Sequence, residues 1–418
     1  MRILFLTENF PPETNAAATR VYERACYWAA WGHEVHVMTC APNFPQGRLF
    51  TGYQNRWRQV ETMSGLRVIR VKTYIAANEG FVRRTLDFLS FMVTGFGASL
   101  LEPRPDVVVS TSPQFFAAVA GWLVGKVRRV PFVFELGDLW PASITAVGAM
   151  KPGLAIRLLE RLELYLYRQS ASVVALTQAF KADLIRRKIP ADKIAVVING
   201  VDMPRYGPRP ADAELTRQWS LQGKFVVGYV GTLGMAHGLA NVLDAAERLR
   251  DRDDIRFLLV GPGAERALLI AEAQRRGLAN VLFGEPQPKD SMPRVWSVCN
   301  VALVHLKNSP AFAEVIPSKM FEAMAMGLPI LLAAPPGEAS AILAADRAGI
   351  HVAAGDPEAL ASRVRAMADD SAVTTTLAAQ SLAAAPRHTR ERQAREMMAV
   401  LQAVTRGEGD AVARVVSS

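Results

Sequence analysis

The sequence predicts an α/β protein built from two doubly wound parallel sheets. Two observations carry this. Short apolar runs alternate with helical patterns from end to end, and most of the runs are continuously apolar and β-branched, as strands buried on both faces are. The pattern also restarts: Asn199-Gly200-Val201-Asp202 closes one set, Pro204, Pro208 and Pro210 follow, and a fresh apolar strand opens at Phe225. Two domains joined near residues 200–222 and facing each other across a cleft are the simplest account.

In chain order, the first set predicts strands at Ile3–Leu6, Glu34–Met38, Leu66–Val71, Val107–Val109, Phe132–Phe134, Val173–Leu176 and Ala195–Ile198. A helix is expected from about Thr19 to Trp31. The second set predicts Phe225–Val230, Phe257–Val260, Val281–Phe283, Val301–Leu306, Ile330–Leu332 and Ile350–Val352. A helical tail follows over 372–404, with Pro386 as a kink or boundary and a frayed last dozen residues. The domains are read as 1–200, 201–385 and a C-terminal helix with tail over 386–418.

The bulk properties bound the rest. The chain has 418 residues, half of them hydrophobic, enough for two or three domains. Met1-Arg2 leads straight into a strand, with no secretory signal. The apolar stretches Phe88–Leu101 and Phe115–Val127 are too short or too interrupted to span a bilayer and are read as buried helices. Three cysteines without metal spacing fit a reducing cytosol. Charge is uneven: 24 Lys and Arg face 15 Asp and Glu up to Gly200, and 24 face 24 thereafter. Arg48, Arg56, Arg58, Arg67, Arg70, Lys72, Arg83 and Arg84 concentrate there, among Phe50, Tyr53, Trp57 and Phe81. That suits peripheral attachment to an anionic membrane on its cytoplasmic face, or an ordinary basic surface. No nucleic-acid motif accompanies it, so no nucleic-acid partner is expected.

Several motifs fall where chemistry gathers in such sheets, past the carboxyl ends of strands. Glu314 and Glu322 bracket Glu-Val-Ile-Pro-Ser-Lys-Met-Phe-Glu. Pro317 and Ser318 mark a helix start, which places Lys319 and Glu322 in its first turn. Lysine, free amides and two carboxylates are what a phosphate and sugar hydroxyls require; a capped helix with solvated glutamates satisfies the pattern equally. Asp138, in Gly137-Asp138-Leu139-Trp140-Pro141, is a catalytic candidate or a helix N-cap beside a packed indole. In Gly231-Thr232-Leu233-Gly234-Met235-Ala236-His237, glycines permit close approach to a phosphate, and His237 is either a donor to it or a structural residue. Gly261-Pro262-Gly263 is a weaker signal of the same kind. Small residues at 15–18 open a helix N-terminus to a ligand, or simply turn the chain.

Assembled, these residues resemble the retaining GT-B glycosyltransferases of family 4, with two Rossmann-like domains and a C-terminal helix packing back on the first. The resemblance rests on Phe10-Pro11-Pro12-Glu13, Gly32-His33-Glu34-Val35, Asn199-Gly200-Val201-Asp202, Gly261-Pro262-Gly263 and Glu314 to Glu322, and covers nearly the whole chain. Asp-Leu-Trp-Pro and Ile-Pro-Ser-Lys-Met-Phe-Glu are similar to the subgroup that builds bacterial O-antigen, capsule or exopolysaccharide, N-acetyl-L-fucosamine transferases among them. The resemblance implies a UDP-sugar donor and a lipid-diphosphate-linked saccharide acceptor, with no cofactor and no metal. It implies catalytic roles for Glu314, Asp138 and His237. The donor would be held by Gly231, Thr232, Leu233, Gly261, Gly263, Arg266, Glu285, Ile316, Pro317, Ser318, Lys319, Met320 and Glu322, with Glu322 on the ribose. The acceptor would be held by Asn9, Glu13, Asn15, Ala16, Arg20 and Trp140. Three departures stand out: Thr232 and His237 occupy positions that are Arg and Lys in many relatives, and Gly137 replaces a frequent His before Asp138. Lys319 is then expected to carry the diphosphate charge.

The rival readings are a UDP-sugar 2-epimerase of the same fold and a non-catalytic subunit that binds UDP-sugar or lipid. A nicotinamide dehydrogenase is disfavoured, because Asn-Phe-Pro-Pro-Glu follows the first strand instead of Gly-x-Gly-x-x-Gly. Asp251, Asp253 and Asp254 read as a solvated loop, not a metal site.

Overall fold

A computed structural model describes residues 1–44, 46–76, 81–112, 115–139 and 153–408, with the backbone alone at Phe81 and Val82. The chain divides into two compact units, residues 1–199 with the chain from Arg390 onward, and Gly200–Thr389.

The first unit holds β1 (Arg2–Leu6), β2 (Glu34–Cys40), β3 (Arg58–Met63), β4 (Leu66–Val71), β5 (Val107–Thr111), β6 (Phe132–Leu136), β7 (Ser172–Ala175) and β8 (Ile194–Val196). Their order is β3-β4-β2-β1-β5-β6-β7-β8, parallel except for β3. Residues alternate between two helical layers: Ile3 and Phe5 join one core, Leu4 and Leu6 the other. Helices α1 (Ala16–Ala30), α2 (Phe81–Ser99), α3 (Phe115–Arg128), α4 (Leu154–Gln169) and α5 (Gln178–Arg186) form the layers. Because chain order reverses at β1, between β2 and β5, the first loop opens at a switch point of the sheet.

Three expectations change here. Strand β3 was not anticipated: Arg-Gln-Val-Glu-Thr-Met alternates half-buried and exposed positions on an antiparallel edge, without the apolar run that marks an interior strand. Helix α1 begins at Ala16, three residues early, because the Asn15 side chain accepts from the Ala18 N–H and caps it. The stretch Phe88–Leu101 is not a buried helix: α2 buries Phe91, Gly95 and Ala98 but leaves Val93 65% exposed, and Leu101, beyond its end, is 72% exposed. Among the described residues no helix is long and apolar enough to cross a membrane.

The second unit holds β9 (Phe225–Val230), β10 (Ile255–Val260), β11 (Val281–Gly284), β12 (Val301–His305), β13 (Ile330–Ala334) and β14 (Gly349–Ala353), all parallel in the order β11-β10-β9-β12-β13-β14. Helices α6 (Ala213–Gln218), α7 (Ala240–Glu247), α8 (Arg266–Arg275), α9 (Met292–Ser297), α10 (Lys319–Ala325), α11 (Glu338–Asp346), α12 (Pro357–Asp369) and α13 (Ser371–Ala384) surround it. The order reverses at β9, which pairs with β10 on one side and β12 on the other. A short 3₁₀ turn at 385–388 ends this unit, with His388 stacked on Phe321 at 4.7 Å. The last helix, α14 (Arg390–Arg406), belongs to the first unit: Trp28 donates to the Ala394 carbonyl at 2.9 Å, and buried Arg390 pairs with buried Glu23 at 3.0 Å.

Candidate functional site

In the second unit, the loops leaving β9, β10 and β12 at their carboxyl ends are stitched together. Leu233 N–H donates to the Pro262 carbonyl at 2.8 Å, and Glu265 N–H to the Leu233 carbonyl at 3.0 Å. On the other side, Lys307 N–H donates to the Ala236 carbonyl at 2.9 Å, and His305 Nδ1 lies 2.6 Å from the His237 carbonyl. The structure thus brings Gly231, Thr232, Leu233, His237, Gly261, Gly263 and the 314–322 segment to the switch point of one sheet.

Individual roles differ from those expected. A Cβ on Gly261 would lie 2.0 Å from the Gly231 carbonyl oxygen, and one on Gly263 equally close to that of Leu233. These glycines admit the neighbouring loop's backbone at close range. Leu233 is buried in the core, with both its backbone groups spent on the β10 loop, so it offers a donor nothing. Met320 is likewise buried, and its N–H donates to the Pro317 carbonyl at 3.0 Å. Arg266 donates to the Gly284 carbonyl at 3.1 Å and to exposed Glu285 at 3.2 Å, which ties the start of α8 to the end of β11. Thr232 is exposed; Ile316, Pro317 and Ser318 are half-buried before α10.

Lys319 begins α10, a helix of only seven residues, so its own charge counts for more than the helix dipole. Its Nζ is buried, has no hydrogen-bond partner among the described residues, and sits 3.7 Å from the centre of the Tyr229 ring. Burial pulls this amine down to about 7, against the attraction of Glu322. A Cβ on Gly231 would come within 2.7 Å of the same Nζ, so the glycine at 231 makes room for the lysine. Glu322 accepts from the Trp296 indole at 3.3 Å, which orients its carboxylate from α9. Glu314 precedes α10 in the loop from β12, half-buried.

His237 does not carry charge here. A carbonyl only accepts, so the 3.4 Å contact between His237 Nδ1 and the His305 carbonyl places the proton on Nδ1 and leaves Nε2 an acceptor. Burial, with Lys319 nearby, pushes the ring down to about 3. His305 is neutral for the same reason, at about 4, with Asn241 Nδ2 2.9 Å from its Nε2. With the proton on Nδ1, Nε2 is the ring nitrogen left to accept a hydrogen bond.

In the first unit, most residues assigned to the acceptor brace the fold. Glu13 accepts from Asn9 at 2.8 Å and from the N–H groups of Asn43 and Phe44 at 2.8 and 2.9 Å, tying the β1 loop to the β2 loop. Asn15 caps α1, and Ala16 is exposed in its first turn. Arg20 is buried with Arg24 around Glu135 at the end of β6: Arg24 binds it in bidentate fashion at 2.8 Å, and Arg20 approaches to 3.2 Å. A Cβ on Gly137 would lie 2.5 Å from the Ser112 carbonyl oxygen and 2.7 Å from Arg20 Nη2, so a larger residue before Asp138 would force the backbone apart. The Ser112 hydroxyl accepts from Gly137 N–H at 2.9 Å and donates to the Asp138 carbonyl at 3.2 Å, tying the turn after β6 to the end of β5. Trp140 lies outside the described residues.

The basic cluster is also smaller than composition implies. Arg58 and Arg67 both pair with Glu102, and Arg70 is buried against Glu61 and the Pro11 carbonyl. Lys72 lies 4.9 Å over the ring of Trp57, which is 72% exposed. Sequence reasoning missed Tyr229, Trp296, His305 and Ser112. Each lies inside an apolar strand, a short helix or a strand end, where nothing local distinguishes it from core.

Family models agree with this geometry. The model described as a glycosyl transferase 4-like domain matches residues 15–200, and that described as glycosyl transferases group 1 matches 212–383. The chain belongs to the GT-B-fold family 4 glycosyltransferases, and it is a glycosyltransferase. It is 29% identical to the Escherichia coli protein named as a colanic acid biosynthesis glycosyl transferase, WcaI, over 78% of this chain and 82% of that one. It is 25% identical to a GDP-mannose-dependent alpha-mannosyltransferase of Mycobacterium tuberculosis, over 86% and 85%. Among solved structures, Anabaena HepE in complex with UDP superposes with a TM-score of 0.72 at 20% identity, covering 96% of this chain and all of that one. WaaG, a glycosyltransferase of lipopolysaccharide biosynthesis, gives 0.70 at 17%, covering 96% and 99%.

Proposed function

We propose that this enzyme transfers a sugar, such as an N-acetylated deoxysugar, from a UDP-sugar to a hydroxyl of a lipid-diphosphate-linked saccharide, with retention, in building a bacterial surface polysaccharide. The observation that carries the donor half is the Lys319 ammonium, buried and with no hydrogen-bond acceptor among the described residues, at the switch point of the second sheet. A diphosphate supplies the missing acceptors. Glu322, oriented by Trp296, takes the ribose hydroxyls; Glu314 and the Nε2 of neutral His237 take hydroxyls of the transferred sugar. The chemistry needs stabilisation of the departing diphosphate, and a preformed donor of this kind is typically worth about 3–4 kcal/mol in the transition state. Asp138 is the acceptor-side candidate for orienting the attacking hydroxyl.

Polysaccharide assembly is supported by the colanic acid relative, and the uracil base by the UDP held in HepE; the mannosyltransferase relative uses GDP-mannose, so the base is decided by titration. Calorimetry with UDP and GDP on the wild type and Glu322→Ala tests the reading. UDP binding that weakens about 10- to 100-fold in the variant, as loss of charge-assisted hydrogen bonds worth roughly 1.5–3 kcal/mol predicts, supports it; unchanged affinity removes the ribose assignment. Transfer to a lipid-linked acceptor, followed by mass spectrometry, separates this activity from epimerisation, which yields product from UDP-sugar alone. The exposed Trp57, with Lys72 and Arg56, is the part of the first unit best suited to an anionic membrane.

A further inference from the structure

Lys319 is held in an unusual way for a residue meant to bind an anion. Its Nζ is fully enclosed, yet no oxygen of the described residues accepts from it. A buried ammonium without acceptors is costly, and such a group persists where something else fixes it. Two features do so. The centre of the Tyr229 ring lies 3.7 Å from the Nζ, and Gly231, where a Cβ would come within 2.7 Å of the Nζ, leaves the room that it occupies. Tyr229 is itself immobilised: it is fully buried, its hydroxyl donates to the Thr232 carbonyl at 2.7 Å, and the His237 ring meets it edge-on at 5.8 Å.

We propose that Tyr229 is a positioning residue for Lys319, its π face holding the ammonium in register for the donor's diphosphate while leaving all three N–H groups unspent. A carboxylate partner at this place would fix the lysine equally well but would compete with phosphate for its protons. An aromatic face attracts the cation without using any donor, and the attraction rises when the pair is shielded from water. The hydroxyl of Tyr229 has a separate task, bracing the glycine turn through Thr232, so ring and hydroxyl are separable by substitution. The inference rests on the diphosphate reading of Lys319 given above.

The test is calorimetric titration of UDP and of uridine, with GDP and guanosine as the second pair, against the wild type, Tyr229→Phe, Tyr229→Leu, Lys319→Met and Tyr229→Leu/Lys319→Met. Thermal melting checks each fold. Tyr229→Leu is expected to weaken UDP roughly five- to thirtyfold, the range of a shielded cation–π contact, and to leave uridine within about twofold. Tyr229→Phe keeps the face and is expected to stay within about threefold of the wild type. In the Lys319→Met background, Tyr229→Leu should add less than about twofold, because the two residues act through one contact. The proposal is overturned if Tyr229→Leu leaves UDP binding unchanged, weakens uridine as much as UDP, or costs as much without the lysine as with it. If the wild type binds neither UDP nor GDP, or Lys319→Met binds its diphosphate normally, the underlying donor assignment fails instead.

Discussion

Replacing Glu135 by Ala tests whether the buried charge cluster of the first unit is essential to its stability. Glu135 and Arg24 are fully buried and Arg20 nearly so, with Arg24 packed between the rings of Phe5 and Trp28 at 5.6 and 5.1 Å. Burial alone would raise the Glu135 carboxyl, but Arg24 and Arg20 hold it at about 2 against an ordinary 4.5. At 1.36 kcal/mol per pH unit that difference corresponds to about 3 kcal/mol. Removing one partner of a buried pair costs roughly 3–5 kcal/mol, because the other charge stays buried. The variant leaves two guanidinium groups uncompensated, so a loss of about 3–5 kcal/mol is expected in urea unfolding, with calorimetry resolving the transition that contains this unit. The sign of the pH dependence follows from the depressed folded value. The contribution is fully present above about pH 4.5 and is lost as pH falls toward 2; in the variant this part of the acid sensitivity disappears. A loss under about 1 kcal/mol, or an unchanged acid profile, would refute the cluster's role.

The remaining predictions concern other joints. Gly263→Ala forces a Cβ to within 2.0 Å of the Leu233 carbonyl oxygen, so the two loops must part; a destabilisation of about 2–5 kcal/mol and loss of UDP binding are expected by melting and calorimetry. Arg390→Ala removes the guanidinium that pairs with buried Glu23, and should cost about 3–5 kcal/mol and expose α14 to limited proteolysis, whereas a cleavage pattern like the wild type's argues against the anchor. Flotation with anionic vesicles should fall as salt rises, and fall further in a Trp57→Ala/Lys72→Ala variant, by about 1 kcal/mol for the lost charge; salt-independent flotation removes the membrane reading.

The sequence by itself determined the two sheets, the restart near residue 200, and the segment that carries Glu314, Lys319 and Glu322, because buried parallel strands are apolar along their whole length and proline with serine announces the helix. It did not reveal strand β3, whose half-exposed alternation is too short and polar to register. It also could not separate ligand-facing glycines from packing ones. Gly231, Gly261 and Gly263 look alike in a strand-end turn, yet one makes room for Lys319 and the other two for a neighbouring backbone. The same holds for polar residues of the first loop: Asn9, Glu13 and Arg20 have the chemistry of a binding site, but tertiary structure spends it on Asn43, Phe44, Thr111 and Glu135. Which hydrogen bonds a side chain has left to offer depends on partners dozens of residues away, and Tyr229 beneath Lys319, separated from it by 90 positions, is the clearest case.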